Sequence, residues 1–187
     1  MLNVISGVLG EATAPVTNSY ESIATVTVGS GGSSSISFSS IPSTYKHLQI
    51  RAIMRGTGTA GTVDYYALTF NGDTGSNYST HRLDGNGSTA YAQSSSSGTS
   101  ILNFCVPNAN TTAGIFGAAI FDILDYAATT KNKTVRVPSG ADTNGGGQVN
   151  FDSGAWYSTA AVTSIGISVP AGNFSQYSSF ALYGIKG

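Results

Sequence analysis

Charged side chains are scarce in this chain. Only 9% of its 187 residues are Asp, Glu, Lys or Arg, and the net charge is −1, whereas about a quarter of the residues in typical soluble proteins are charged. Nucleic-acid phosphates and anionic membranes are both bound through clustered Lys and Arg. We therefore expect neither a nucleic acid nor a membrane as partner. A weakly charged surface that is rich in Ser, Thr and Gly favours packing against other protein instead.

Cysteine and tryptophan occur once each. The single Cys105 excludes an intrachain disulfide and a multi-cysteine metal site. It lies in the apolar run 101–106, which predicts a small buried hydrophobic residue. The first apolar run of the chain has no Lys or Arg before it, so we expect no export by a secretory signal peptide.

Short stretches in which apolar and polar residues alternate make up most of the chain, with turn residues between them. This period of two predicts about ten strands. In the apolar stretch 114–126 a helix competes with a buried strand, and two glycines and the β-branched residues favour the strand. The predicted strands are 22–28, 33–38, 47–55, 63–70, 101–106, 114–126, 133–137, 148–157, 165–169 and 180–183. The pattern predicts one all-β domain over residues 20–187, an antiparallel β-sandwich that is jelly-roll-like.

Three connections can also be predicted. The first two stretches, separated by a glycine-rich turn, are expected to form a hairpin. The last two form either a hairpin or two strands joined across the end of the sandwich. The Ser/Gly tract Ser94–Thr99 is expected at a loop tip.

Residues 1–19 show no clean period, and Pro15 argues against a helix that runs into the first strand. We interpret them as an extended N-terminal arm, and plain terminal disorder is the alternative. The arm is favoured because five of its side chains are apolar and need cover. These candidate attachment residues are Leu2, Val4, Ile5, Val8 and Leu9.

Polar constellations in the sequence do not amount to an active site. His47 and His81 lack a nucleophile elbow nearby, and a Ser-His-Asp set can always be assembled where Ser is abundant. The loop Asn71–Asn77 only loosely resembles a calcium loop, and it favours Asx-turns. The pair Trp156 and Tyr157 is either a platform for sugar rings or, as we favour for Trp156, part of the core. We expect no enzyme activity, no cofactor and no metal.

Four phrases are similar to a family of small structural proteins of tailed bacteriophages. They are SSIPSTYKHLQIRAIMRG (39–56), FNGDTGSNYSTHRLDGNG (70–87), FDILDYAATTKNKTVR (121–136) and NFSQYSSFALYGIKG (173–187). Together they extend the resemblance over residues 20–187, but they do not identify a functional site. The arm at residues 1–19 lies outside the matched part.

The resemblance implies a structural virion protein, above all a capsid decoration or cement protein. Such proteins resemble jelly-roll trimers that are seated on the capsid, with N-terminal arms that grip the shell. The implied partners are the major capsid protein and further copies of the chain in a homotrimer. The implied location is the capsid surface, after synthesis in the host cytoplasm. The alternative is a tail-fibre or receptor-binding tip domain that recognises host surface glycan, and a polysaccharide-degrading enzyme comes third.

Overall fold

Twelve antiparallel strands in two packed sheets form the part of the protein that the structure describes. This computed structural model describes residues 19–187, without the side chains of residues 103–105. The strands are β1 (Tyr20–Thr27), β2 (Ser35–Phe38), β3 (His47–Met54), β4 (Val63–Phe70), β5 (Tyr78–Gly85), β6 (Ala90–Gly98), β7 (Ile101–Pro107), β8 (Gly117–Leu124), β9 (Lys133–Asp142), β10 (Gly147–Trp156), β11 (Ile165–Ser168) and β12 (Ser179–Ile185). The predicted all-β sandwich is thus confirmed, whereas its jelly-roll-like character and the domain boundary at residue 20 stay predictions.

The two sheets differ in size. The large sheet has eight strands in the order β1-β12-β3-β8-β9-β10-β5-β6, and the small sheet has four in the order β2-β11-β4-β7. Strand β7 packs over β5, β8, β9 and β10, so one edge of the small sheet covers the middle of the large one. Within residues 19–187, no helix is long and apolar enough to cross a membrane.

The core lies between the sheets and follows from the alternation in the sequence. On β3, Leu48, Ile50, Ala52 and Met54 are all buried, as their period of two predicts. Aromatic rings join the sheets to the loops. The ring of Phe174 stacks on that of Tyr66 and meets that of Phe180 edge-on, and both centroid distances are 4.9 Å. Such pairs add to the free energy gained from burial alone.

Two glycines are required by close packing. A Cβ atom on Gly184 of β12 would lie 2.3 Å from the ring of Tyr45, and one on Gly154 of β10 would lie 2.5 Å from Ile101. Both distances are far below van der Waals contact, so any larger residue would push these side chains away. Gly154 in particular lets β7 approach the large sheet closely.

The predicted first hairpin is wrong. Strand β1 pairs with β12 in the large sheet, and β2 pairs with β11 in the small sheet. The glycine-rich turn at Gly31–Gly32 therefore carries the chain from one sheet to the other. For the last two strands, the second alternative is correct, because β11 and β12 belong to different sheets and are joined across the end of the sandwich.

The predicted loop tip at Ser94–Thr99 is wrong as well. Most of this tract belongs to β6, which pairs with β5 over Ala90–Gly98. Serine and glycine have low strand propensity because they offer little side chain to pack. Here the main-chain hydrogen bonds to β5 hold the strand, and packing of its own side chains contributes little since they are exposed.

Candidate functional site

The predicted capsid-attachment arm lies outside the residues that the structure describes. Leu2, Val4, Ile5, Val8 and Leu9 lie outside the described residues. The side chain of Cys105 lies outside them too. The described chain begins at Ser19, whose carbonyl oxygen accepts a hydrogen bond of 3.0 Å from the backbone N–H of Lys186.

The two histidines lie on different strands and have no common site. His47 begins β3, and its Nδ1 accepts a hydrogen bond of 2.9 Å from the backbone N–H of Asp125. His81 is exposed on β5. Asp125 forms ion pairs with Lys46 and Lys131, and hydrogen bonds from these two lysines hold the pKa of its carboxyl well below the usual value. His47 thus has a structural role at the end of the sheet.

The Asn71–Asn77 loop is held together by its own side chains. The carboxylate of Asp73 accepts hydrogen bonds from the indole of Trp156 (2.7 Å), from the Asn77 amide (3.0 Å) and from the Gly75 N–H (2.8 Å). These bonds, with that from Trp156 first, lower the pKa of Asp73. The Asx-turn interpretation is confirmed, because every one of these donors lies within the loop or the core beneath it.

Trp156 belongs to the core, as we favoured. It is only 3% exposed and lies against the rings of Phe70 and Tyr78, at centroid distances of 5.6 and 6.3 Å. Tyr157 points to the other face, is exposed and hydrogen bonds the hydroxyl of Ser79. The two aromatic side chains therefore do not form a common platform for sugar rings.

An apolar strip on the outward face of the large sheet was not predicted from the sequence. Val149 is 71% exposed, Leu83 58%, Ile53 56% and Phe151 49%, and Ile120 is exposed as well. We call these five residues the outer strip. They belong to β3, β8, β10 and β5.

The strand register places the outer strip in two adjoining rows. A row is a line of residues that pair across neighbouring strands. In the first row Ile53 pairs with Ala118, Ala118 with Gly140, Gly140 with Val149, and Val149 with Gly85. In the next row Phe151 pairs with Leu83 and with Pro138. A shallow cleft of about 340 Å³ runs between Leu83, Val149 and Phe151. These pairs form an apolar surface without a charged side chain between them, whereas Ile120 pairs with Arg51 at the β3 end of the strip.

Beneath the same strands, the inward face is polar. Asp152, Asn150, Asp84, Arg82 and Ser139 are all buried, and we call them the inner cluster. Register places Asn150 between Ser139 and Asp84, while Asp152 lies opposite Arg82. The Nε of Arg82 forms an ion pair with Asp84 Oδ1 at 2.8 Å, and the guanidinium lies over the ring of a neighbouring tyrosine, Tyr65.

Asp152 is the most unusual group in the inner cluster. Its side chain is fully buried, and neither carboxylate oxygen has a hydrogen-bond partner. Burial raises the pKa of Asp152 to about 8; the positive charge of Arg82 opposes the rise and the negative charge of Asp84 adds to it. Both polar atoms of the Asn150 side chain are also without a partner. At neutral pH the carboxyl is therefore largely protonated and uncharged.

The inner cluster does not provide the ligands of a metal site. Within residues 19–187, no group of three or more His, Cys, Asp or Glu side chains could hold a metal ion. The inner cluster contains two carboxylates, but a guanidinium lies directly against one of them, and a positive charge there opposes a cation. The outer strip, by contrast, is open to a macromolecular partner.

Comparison with known proteins adds no relative: no protein-family model, no curated protein and no solved structure matches this chain significantly.

Proposed function

We propose that this protein is a structural component of a tailed-bacteriophage virion, a capsid decoration protein that binds the major capsid protein and reinforces the shell. The observation that carries the proposal is the outer strip. Apolar patches on soluble monomers rarely exceed a few hundred Å², and larger ones mark protein interfaces. Five large apolar side chains on one sheet face form a patch on the order of that limit, and each remains between one third and three quarters exposed.

The chemistry of the outer strip favours a protein over a sugar as its partner. Sugar sites need hydrogen-bonding side chains beside an aromatic ring. The rows that hold Val149, Phe151 and Leu83 contain Gly, Ala and Pro next to them, and none of these side chains donates or accepts hydrogen bonds. A flat apolar surface of this kind fits the surface of another folded protein. Adhesion of the sandwich to neighbouring capsid subunits would oppose the outward pressure of packaged DNA.

The proposal includes a role for the arm and for self-association. Residues 1–19 would share the attachment with the outer strip, and the copies would form a closed oligomer, for which the resemblance favours a homotrimer. Both statements rest on the sequence and on the surplus of exposed apolar residues in the strands.

Quantification on intact particles tests the proposal. Virions are purified from cultures that produce the protein, and the ratio of this chain to the major capsid protein is measured by mass spectrometry. A decoration protein is expected at hundreds of copies per particle, and electron microscopy with a specific antibody should label the capsid. A few dozen copies or fewer, with label on the tail, would replace the proposal by the tail-fibre alternative. Absence from purified particles would reject both.

A binding experiment then tests the outer strip itself. The full-length chain is mixed with capsids that lack it, and the occupancy is compared with that of a variant carrying Leu83→Ser and Phe151→Ser. We expect at least a tenfold loss of affinity. The matched control is Leu102→Ser, which removes an exposed leucine from the small sheet. Equal binding by the two variants would show that the outer strip is not the attachment surface.

A further inference from the structure

Strand β6 forms one edge of the large sheet and is the most exposed strand that the structure describes. It pairs with β5 on one side and with no described strand on the other. Every residue from Ala90 to Ser97 is exposed, so neither face of the strand is covered. Among the described residues, the backbone N–H and C=O groups along its outer edge therefore have no strand partner.

The other three sheet edges carry features that discourage strand pairing, namely charge, irregular register, short length or proline. Strand β1 contains Glu21, which pairs with Lys186 at 3.1 Å, and a register shift lies between Ser22 and Ala24. Strand β2 has only four residues. Strand β7 ends in Pro107, and its pairing with β4 is shifted as well.

Strand β6 has almost none of these features. Its nine residues, AYAQSSSSG, contain no proline and no charged side chain. One register shift with β5 exists, and it is confined to the last residues of the strand, where Ser97 has a φ of 54°. Residues Ala90–Ser95 remain regular and pair residue by residue with Thr80–Gly85. A long, regular and uncharged edge is a template for another strand.

We propose that β6 is a strand-pairing surface whose partner is the β6 of a second copy of this chain, in antiparallel orientation. Self-pairing of this kind is symmetric about a two-fold axis, so each residue that one copy offers meets a matching residue from the other. It requires a strand without charge, because like charges would otherwise face each other across the junction. The larger side chains of β6, Tyr91 and Gln93, lie opposite Asp84 and Arg82 on the inward face, so the outward face of the junction carries only the small side chains of Ala90, Ala92 and Ser94.

The pairing has a geometric consequence for the outer strip. A two-fold axis perpendicular to the sheet places the outward faces of both copies on the same side. Leu83 lies on β5, one strand in from the junction, so the two Leu83 side chains would be about 14 Å apart across three strand spacings. Two outer strips would then face the same surface, and the pair of copies would bind it bivalently. The particle in solution should contain two copies, or six if the proposed trimer contact also forms.

Paired lysine variants test this inference on the full-length chain. Ala92→Lys with Ser94→Lys places two charges on each β6, and Thr25→Lys with Thr27→Lys places the same charges on exposed positions of the opposite edge, β1. Sedimentation equilibrium at about 50 µM should give an even number of copies for the wild type. The β6 variant should lose half of that mass, and the β1 variant should keep all of it. A monomeric wild type, or a β6 variant with unchanged mass, overturns the inference.

Hydrogen exchange of the wild type provides a second measurement that does not depend on any variant folding. Every second backbone amide of residues 90–95, those that point away from β5, should become at least tenfold more protected as the protein concentration rises from 1 to 100 µM, since pairing buries the outer edge. Amides of β1 serve as the internal comparison and should not change. Equal, fast exchange of β6 at all concentrations overturns the pairing. A trimer with an unprotected β6 would do so too, while leaving the proposed capsid function intact.

Discussion

The two ends of the eight-stranded sheet use their two faces in opposite ways. At the β1-β12-β3 end, Leu182 and Ile50 point inward, while Arg51, Gln49 and Tyr183 form the outward face beside Ile53. At the β10-β5-β6 end, Asp152 and its charged and polar neighbours point inward, and Val149, Phe151 and Leu83 of the outer strip point outward. The first arrangement is the common one for an antiparallel sheet with one face on the core and the other in water. The second supports the proposal that a partner covers the outer face at that end.

The polar outward face at the first end is a connected network. The Gln49 amide donates to Asp122 at 2.7 Å, and Arg51 donates to Gln49 at 2.9 Å. The guanidinium of Arg51 also lies 5.4 and 5.5 Å from the ring centroids of Tyr20 and Tyr183. The side chains of Gln49 and Arg51 thus have partners within the single chain.

The largest effect on stability is expected in the core at the first end. Phe180→Ala removes a fully buried ring that packs edge-on against Phe174. Such truncations leave a cavity and cost about 3–5 kcal/mol. Urea unfolding followed by tryptophan fluorescence measures the loss. A cost below about 1 kcal/mol would mean that this end of the sheet does not carry the fold.

The free energy of unfolding should depend on pH because of Asp152, at the β10-β5-β6 end. Its pKa is about 8 in the folded protein, against about 3.9 in an unfolded chain. Between these two values the folded state binds the extra proton, so the free energy of unfolding should fall as the pH rises from about 4 to about 8 and level off above that.

Asp152→Asn should remove this slope, because the amide is neutral at every pH. We expect the variant to be more stable than the wild type at pH 9 by a few kcal/mol, with a smaller difference at pH 5. Denaturant titrations at several pH values measure this. Asp142→Asn, at an exposed carboxylate of β9, is the control and should leave the slope in place. An unchanged slope in Asp152→Asn would show that the buried carboxyl does not titrate as described.

A smaller loss of stability is expected when the polar network on the outward face of the β1-β12-β3 end is disrupted. Arg51→Ala removes two cation–π contacts at the surface, each of which contributes about 0.5–1 kcal/mol. Arg51→Lys keeps the charge and should recover part of the loss. Thermal unfolding of the three proteins ranks them. If all three melt together, the network does not contribute to stability.

The smallest effect on folding is expected from the outer strip. Leu83→Ser exchanges a side chain that is 58% exposed, and surface substitutions usually change stability by no more than about 0.5 kcal/mol. The same substitution is one of the two that should together weaken capsid binding at least tenfold. A stability loss of several kcal/mol for the monomer would instead place Leu83 in the core and remove the contrast between the two ends.

The arm offers one further comparison, between attachment and folding. Deleting residues 1–19 should leave the β-sandwich folded, with its melting temperature changed little, while binding to capsids weakens. Circular dichroism and the capsid-binding assay measure the two quantities. Unfolding of the truncated protein would show that the segment belongs to the core. Full occupancy on capsids would place attachment wholly in the sandwich.

Most strands could be predicted from alternation, but the direction in which each face points could not. On β3 every large apolar residue except Ile53 has even numbering, so the buried face is evident. On β10, Val149 and Phe151 have odd numbering and Trp156 has even numbering. Tyr78 and Leu83 on β5 show the same change. This change of side within one strand was the available signal for the outer strip, and only the packing of Trp156 and Tyr78 decides which side is inward.

Pairing between strands was less predictable, for a physical reason. The alternation of β1 and β2 indicates that each strand has a buried side, but it does not indicate which strand each one pairs with. A glycine-rich turn between two strands favours a hairpin by default. Here the partners of both strands lie near the end of the chain, in β12 and β11. The serine tract of β6 was missed because its side chains have no role in burial.

The place of β12 in the large sheet bears on how fast the molecule can fold. It lies between β1 and β3, so Tyr20 pairs with Ile185 at almost the full sequence separation that the described chain allows. For contacts of such long range, the entropy of closing a large loop is lost before the paired strands contribute any stabilisation. All-β proteins dominated by such contacts fold in milliseconds to seconds. Until β12 docks, β1 and β3 both expose an unsatisfied edge. Refolding yield should therefore fall steeply as the protein concentration rises.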